Sequence, residues 1–168
     1  MFFVLHCAGK YYNMNDHKFN FIIKEYIPLL KNLQADVVGN WGKMNAQQMV
    51  EHVAAFFFVS TEKIKFDLVT PAEHLPKYRE FLFSDKEFRE NTKAPANVIG
   101  EEALPLRYAT MEEALKNLEN AIADFEVYFK DDANKKTLHP VFGELNYEEW
   151  VLLHYKHVLH HARQFGVV

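Results

Sequence analysis

Four of the nine histidines in this 168-residue chain, His154, His157, His160 and His161, fall within eight residues of one another. Imidazole changes charge near neutrality and is the commonest nitrogen ligand to metals, so the cluster points first to proton or metal chemistry. At about 100° per residue, Trp150, His154, His157, His161 and Phe165 share one helical arc of roughly 80°. Lys156 and Arg163 fall on the opposite side. Three of the four histidines are therefore expected to face a core, with His160 at the arc's edge toward the charged side. A core histidine must recover the hydration that its ring loses, either from a metal or from a hydrogen-bond partner. His157 and His161, at i and i+4, set two imidazoles over adjacent turns, where both can reach one ion.

His52 offers a third ligand, since it lies on an apolar face with Met49, Val53 and Phe56. It sits about 10 Å from the start of its helix, while His157 and His161 sit roughly 12 and 6 Å from the end of theirs, at 1.5 Å per residue. If the two helices run antiparallel, the three rings meet at one level. Three neutral imidazoles with an open position describe a catalytic metal site. His154, one turn deeper, is the alternative ligand or a group that orients a liganding ring. His139 precedes the last helix and is about 20 Å along the axis from His161. It is expected to be structural, bonding a loop carbonyl. The lone cysteine, Cys7, allows neither an internal disulfide nor a zinc ribbon, so a metal would take histidine or carboxylate ligands and a reducing cytoplasm is the expected location.

These residues need long helices to bring them together. Phe19, Ile22, Ile23, Tyr26, Leu30 and Leu33 recur at spacings of three and four, which predicts a first helix over residues 18–33, kinked or divided at Pro28. Residues 37–44 hold two glycines and no period. Asn45 with Gln48 then forms a capping box that opens a second helix, predicted to run to about Phe66. Its inward face is Met49, His52, Val53, Phe56, Ser60 and Ile64, with Gln47 and Glu51 turned to water. Residues 70–109 carry four of the six prolines and read as a long crossover with one or two short helices. Thr110 with Glu113 opens a third helix over residues 111–130, and Asn146 with Glu149 opens a fourth that reaches Gln164 before Gly166. With no strand alternation visible, the expected fold is all-α: a four-helix bundle with a long crossover between helices two and three.

Apolar residues make up 49% of the chain and charged residues 25%, the balance of a folded globular protein. The net charge of −4, without a basic stripe, excludes the electrostatic footprint of a nucleic-acid binder. No run approaches the roughly 18 apolar residues of a membrane span. Residues 1–13 show no helical period and no export signal, since Met1–Leu5 lacks a basic flank and His6 precedes Cys7. They are read as a flexible extension to a single domain over residues 14–168.

The segment from Asn40-Trp41-Gly42-Lys43 to Val50-Glu51-His52-Val53, the run His139-Pro140-Val141-Phe142-Gly143 with Trp150, and His157-Val158-Leu159-His160-His161-Ala162-Arg163-Gln164-Phe165 together resemble the DinB/YfiT-like superfamily of four-helix bundles, in an uncharacterised DinB-like branch. The resemblance implies a divalent metal, zinc or nickel, held by His52, His157 and His161; His154, His160 and Arg163 are kept beside them as outer or alternative groups. Characterised members of that superfamily include thiol-dependent S-transferases and a mycothiol-dependent isomerase. It therefore implies a small-molecule substrate, with a low-molecular-weight thiol as one class, and is compatible with a homodimer. In many members an Arg directly follows the second helical histidine. Here Ala162 intervenes, which leaves the direction of Arg163 open. With Glu51 read as outward, no general base stands near His52. The readings carried forward are a metal-dependent transferase or hydrolase, a non-catalytic ligand-binding or stress-response protein with a structural metal, and a hydrogen-bonded histidine core without metal.

Overall fold

Proline at position 28 removes a backbone donor, and its ring crowds the carbonyl one turn earlier. In the computed structural model, which describes residues 14–92 and 103–168, the chain accommodates it by widening. Helix α1 (Met14–Asn20) passes into a π-helical turn (Phe21–Tyr26) and emerges as the short α2 (Ile27–Leu30). The predicted stripe still faces inward, with Ile22, Tyr26, Ile27 and Leu30 buried. The expected N-terminal extension, residues 1–13, lies outside the described residues.

The capping box at Asn45 forms as predicted: its Oδ1 accepts from the Gln48 amide at 2.8 Å, and Gln48 Oε1 accepts from the Asn45 amide at 3.0 Å. Helix α3 (Ala46–Ser60) follows and stops well before Phe66. The Ser60 and Thr61 hydroxyls turn back onto the Phe57 carbonyl, and Glu62 takes a left-handed φ of 57°, which no helix continues through. Two positions expected to face water do not. Gln47 and Glu51 are buried, because the chain returning to α5 crosses that face and brings unpaired amides to it. Glu51 accepts from the Arg107 amide at 2.8 Å and the Tyr108 amide at 3.3 Å, and Gln47 donates to the Tyr108 carbonyl at 2.8 Å.

The crossover contains a 3₁₀ turn (Ala72–His74) and α4 (Leu75–Phe83). Helix α5 (Met111–Phe129) starts at Thr110, whose Oγ1 accepts from the Glu113 amide. The predicted loop around His139 is instead a two-stranded antiparallel hairpin of β1 (Thr137–His139) and β2 (Gly143–Leu145). Three residues per strand are too few for an alternation to show in sequence. His139 Nδ1 accepts from the Val141 and Phe142 amides at 3.0 and 3.1 Å, so this ring gathers loop amides and not a carbonyl. Helix α6 (Tyr147–Gln164) opens on a complete capping box at Asn146 and ends at Gly166, with φ of 64°.

Contacts fix the directions. Gln47 meets Tyr108 at one end of α3, Phe57 meets Phe125 further along, and Glu62 meets Tyr128 at the other end, so α3 and α5 run parallel. Two parallel neighbours require a long connection, which the crossover supplies. His52 meets His161 while Ser60 meets His154, so α3 and α6 run antiparallel. Trp150, Tyr26, Phe57, Phe125 and Leu118 fill the space between the helices. Each such side chain, taken fully out of water, contributes on the order of 2 kcal/mol. The structure is thus mostly helical with one small sheet, and no helix of the described residues is long and apolar enough to cross a membrane.

Candidate metal centre

The antiparallel pairing of α3 and α6 brings His52, His157 and His161 to one level. His52 Nε2 lies 3.0 Å from His157 Nε2, and His161 Nε2 lies 3.1 Å from the same atom. All three nitrogens fall within 4.8 Å of one another. A neutral imidazole has one donor and one acceptor nitrogen, so the orientation of each proton decides what this convergence can do.

For His161 the proton is assigned by its neighbours. Gln164 Nε2 donates to the Trp41 carbonyl at 2.6 Å, which turns Gln164 Oε1 toward His161 Nδ1 at 2.8 Å. That oxygen can only accept, so His161 carries its proton on Nδ1 and presents the Nε2 lone pair to the other two rings. The loop of residues 39–42, irregular in sequence, is moulded on this side chain. A β-carbon on Gly39 would lie 2.7 Å from Gln164 Cγ, and the Asn40 amide donates to the Gln164 carbonyl at 2.7 Å. Gln164 is the site residue that sequence reasoning missed; the signals available were its place three residues after His161 and the two glycines across from it.

Burial keeps the rings neutral. It pushes His52 down to about 4 and holds His157 and His161 well below the usual histidine range, with each ring's neighbours opposing a second positive charge. The neutral ring is the liganding form. Nitrogens about 3 Å apart match neighbours around an ion with bonds of about 2.0–2.1 Å, and three imidazoles suit zinc, nickel or copper. The residues present therefore fit a divalent ion. Among the described residues no carboxylate joins the cluster.

The family model of the DinB superfamily matches residues 24–165, a span that holds all three rings and the amide that orients one of them. The chain belongs to the DinB superfamily. A search of curated proteins and one of solved structures each found no significant match.

In this DinB-superfamily chain the other candidate residues stand apart from the cluster. His154 is buried, with Nε2 3.0 Å from Ser60 Oγ and its ring stacked on Phe57 at 3.7 Å. Ser60 donates to the Phe57 carbonyl, so His154 donates to Ser60 and orients no liganding ring. His160 is half-buried and edge-on to Trp41 and Phe88. Arg163 turns outward to pair with Glu87. Lys156, read as lying on the charged side, is buried: the segment after α4 folds over it, and its ammonium donates to the Ser84 and Lys86 carbonyls. His52 and His157 keep partial exposure, whereas His161 is closed in.

Proposed function

We propose that this protein is a metal-dependent enzyme acting on a small molecule, with one zinc or nickel ion held by His52, His157 and His161 inside a four-helix bundle formed by α1–α2, α3, α5 and α6. The observation that carries this reading is the contact between His161 and Gln164: the ring's Nδ1–H donates to the Gln164 amide oxygen on the far side, which leaves Nε2 without a proton among two other neutral imidazoles. When bound, such an ion supplies Lewis acidity, which lowers the pKa of a coordinated thiol or water.

The chain's own residues set the rest. Phe56 lies against His157 with ring centroids 4.2 Å apart and excludes water from that side. Of the three ligands His52 and His157 are the less enclosed, so a substrate would have to come from their side. Glu51 is committed to backbone amides and cannot serve as a base, so a nucleophile must lose its proton with little help. A thiol starts near about 8.5, far below water, which favours thiol transfer over hydrolysis.

The test is metal analysis of protein purified without a His-tag, followed by cobalt substitution. About one equivalent per chain is expected, with none in His157→Ala. A low-molecular-weight thiol added to the cobalt form should give a sulfur-to-metal charge-transfer band, and Cys7→Ser should leave that band in place. A full equivalent of metal in His157→Ala would refute the ligand set. A cobalt spectrum that ignores thiols and answers hydroxide would move the reading to hydrolysis, and one that answers nothing would make the ion structural.

A further inference from the structure

His157 stands in the middle of the converging rings, its Nε2 3.0 Å from His52 Nε2 and 3.1 Å from His161 Nε2. Two bare ring nitrogens at such a distance would turn their lone pairs on each other, so a proton belongs between them. His161 cannot supply it, because the one proton of that neutral ring sits on Nδ1 and is donated to Gln164 Oε1. With no ion bound, His157 therefore carries its own proton on Nε2. His52 Nε2 lies beside the same N–H and must be bare as well, since two N–H groups cannot face each other. One proton is thus offered to two acceptors, and His52 keeps its own on Nδ1.

The far side of His157 fits this arrangement. Its Nδ1 is buried, and among the described residues it has no hydrogen-bond partner. With the proton on Nε2, a single acceptor goes unpaired. With the proton on Nδ1, a buried donor goes unpaired and, in the metal-free chain, three lone pairs face one another. An ion reverses the preference, because it takes all three lone pairs and leaves the His157 proton only Nδ1 to occupy. A liganding histidine ordinarily gives that second N–H to an acceptor, as His161 gives its own to Gln164. His157 has none, and Phe56 lies against its ring with centroids 4.2 Å apart.

We propose, on the footing of the metal centre above, that His157 is a proton switch for metal loading: it ties the metal-free cluster together as an Nε2–H donor and becomes a ligand only by moving that proton to its buried, unpartnered Nδ1. His52 and His161 are set for ligation in both states. The charge of the His157 ring does not change; only the place of its proton does. His157 is in consequence the least firmly held of the three ligands, since the outer partner it lacks is of the kind that strengthens metal binding by roughly 10–100-fold.

Long-range proton–nitrogen correlation spectra of the full chain, carrying isotope-labelled histidine, read each proton directly, because a bare ring nitrogen resonates far downfield of a protonated one. The signals of His157 are those missing from both His157→Ala and His157→Gln. In metal-free protein His157 should show Nε2–H and a bare Nδ1, with His52 and His161 protonated on Nδ1. One equivalent of zinc should exchange the roles of the two His157 nitrogens and leave the protons of His52 and His161 in place. A metal-free chain with His157 already protonated on Nδ1 would overturn the switch, and so would full zinc uptake with His157 still protonated on Nε2; in either case the metal centre stands. Failure of the unaltered chain to take up zinc would remove the metal reading and the switch together.

Discussion

The side chain of Gln164 fills the space in which Gly42 would carry a β-carbon, its amide nitrogen 2.7 Å from that point. Gly42 also holds φ of +80°, a region in which L side chains are strained. A loop ahead of α3 and the last turn of α6 therefore interlock at the residue that sets the His161 proton. Replacing Gln164 with Met should keep much of the volume and remove the acceptor. Metal affinity, measured by chelator competition, should fall by roughly 10–100-fold. Unchanged affinity would show that the amide only packs.

Gly42→Ala attacks the same lock from the other side. The added methyl must displace the Gln164 amide or the loop, so both melting temperature and metal affinity should drop, and pairing it with Gln164→Ala should recover part of the lost stability. Strictly additive losses in that double variant would mean that the two residues do not compete for space.

The acid limb of stability follows from the buried histidines. Burial lowers His52 to about 4 and His139 to about 3 in the folded chain, whereas the unfolded chain titrates near 6.5. Between those values the unfolded state binds more protons, so stability is full above about 6.5 and declines as pH falls toward 4. Thermal melts of metal-free protein from pH 8 to pH 4 should show a flat region and then a steady fall. A constant melting temperature down to pH 5 would mean that these rings are accessible to protons in the folded state.

Glu51 tests the crossover. Glu51→Ala leaves the Arg107 and Tyr108 amides and the Gln47 side chain short of an acceptor, which should cost about 1–3 kcal/mol in urea unfolding. Glu51→Gln keeps one acceptor oxygen and should cost less. A change within about 0.5 kcal/mol for the alanine variant would return Glu51 to the solvent-facing role that its helix period suggests.

His154 should separate packing from ligation. His154→Ala opens a hole beside Phe57 and removes the donor to Ser60, for a loss of about 2–4 kcal/mol, while one equivalent of metal is retained. Loss of metal in a variant that still folds would place His154 in the site after all.

What the sequence showed and what it hid divide along physical lines. The level shared by His52, His157 and His161 follows from rise per residue once α3 and α6 run antiparallel; the rise is a property of each helix, and the pairing direction comes from contacts between them. Helix starts were readable because Asn45, Thr110 and Asn146 act on backbone within three residues. Glu51 and Lys156 were misplaced because what buries them comes from elsewhere: the chain entering α5 covers Glu51, and the segment after α4 covers Lys156. A helix's own period cannot register a distant cover. The role of Gln164 depends on two glycines more than a hundred residues earlier, and the hairpin around His139 is held by a ring accepting from two amides, neither of which leaves a periodic trace.

The parallel course of α3 and α5 has a consequence for how such a chain can change over time. Neighbours that point the same way are joined by a strap that must travel back along the molecule, and the entropy of closing a strap rises only logarithmically, by about 0.6 kcal/mol for each doubling of its length. Residues can therefore be gained or lost at small thermodynamic cost only where the crossover is not packed, away from the buried Leu82 and the Ser84 and Lys86 carbonyls that receive Lys156, and provided that its end stays tied to Glu51. The three histidines sit on α3 and α6 and not on the strap. Their convergence is carried by other elements, so a change of length in the unpacked stretches of the crossover leaves the centre in place.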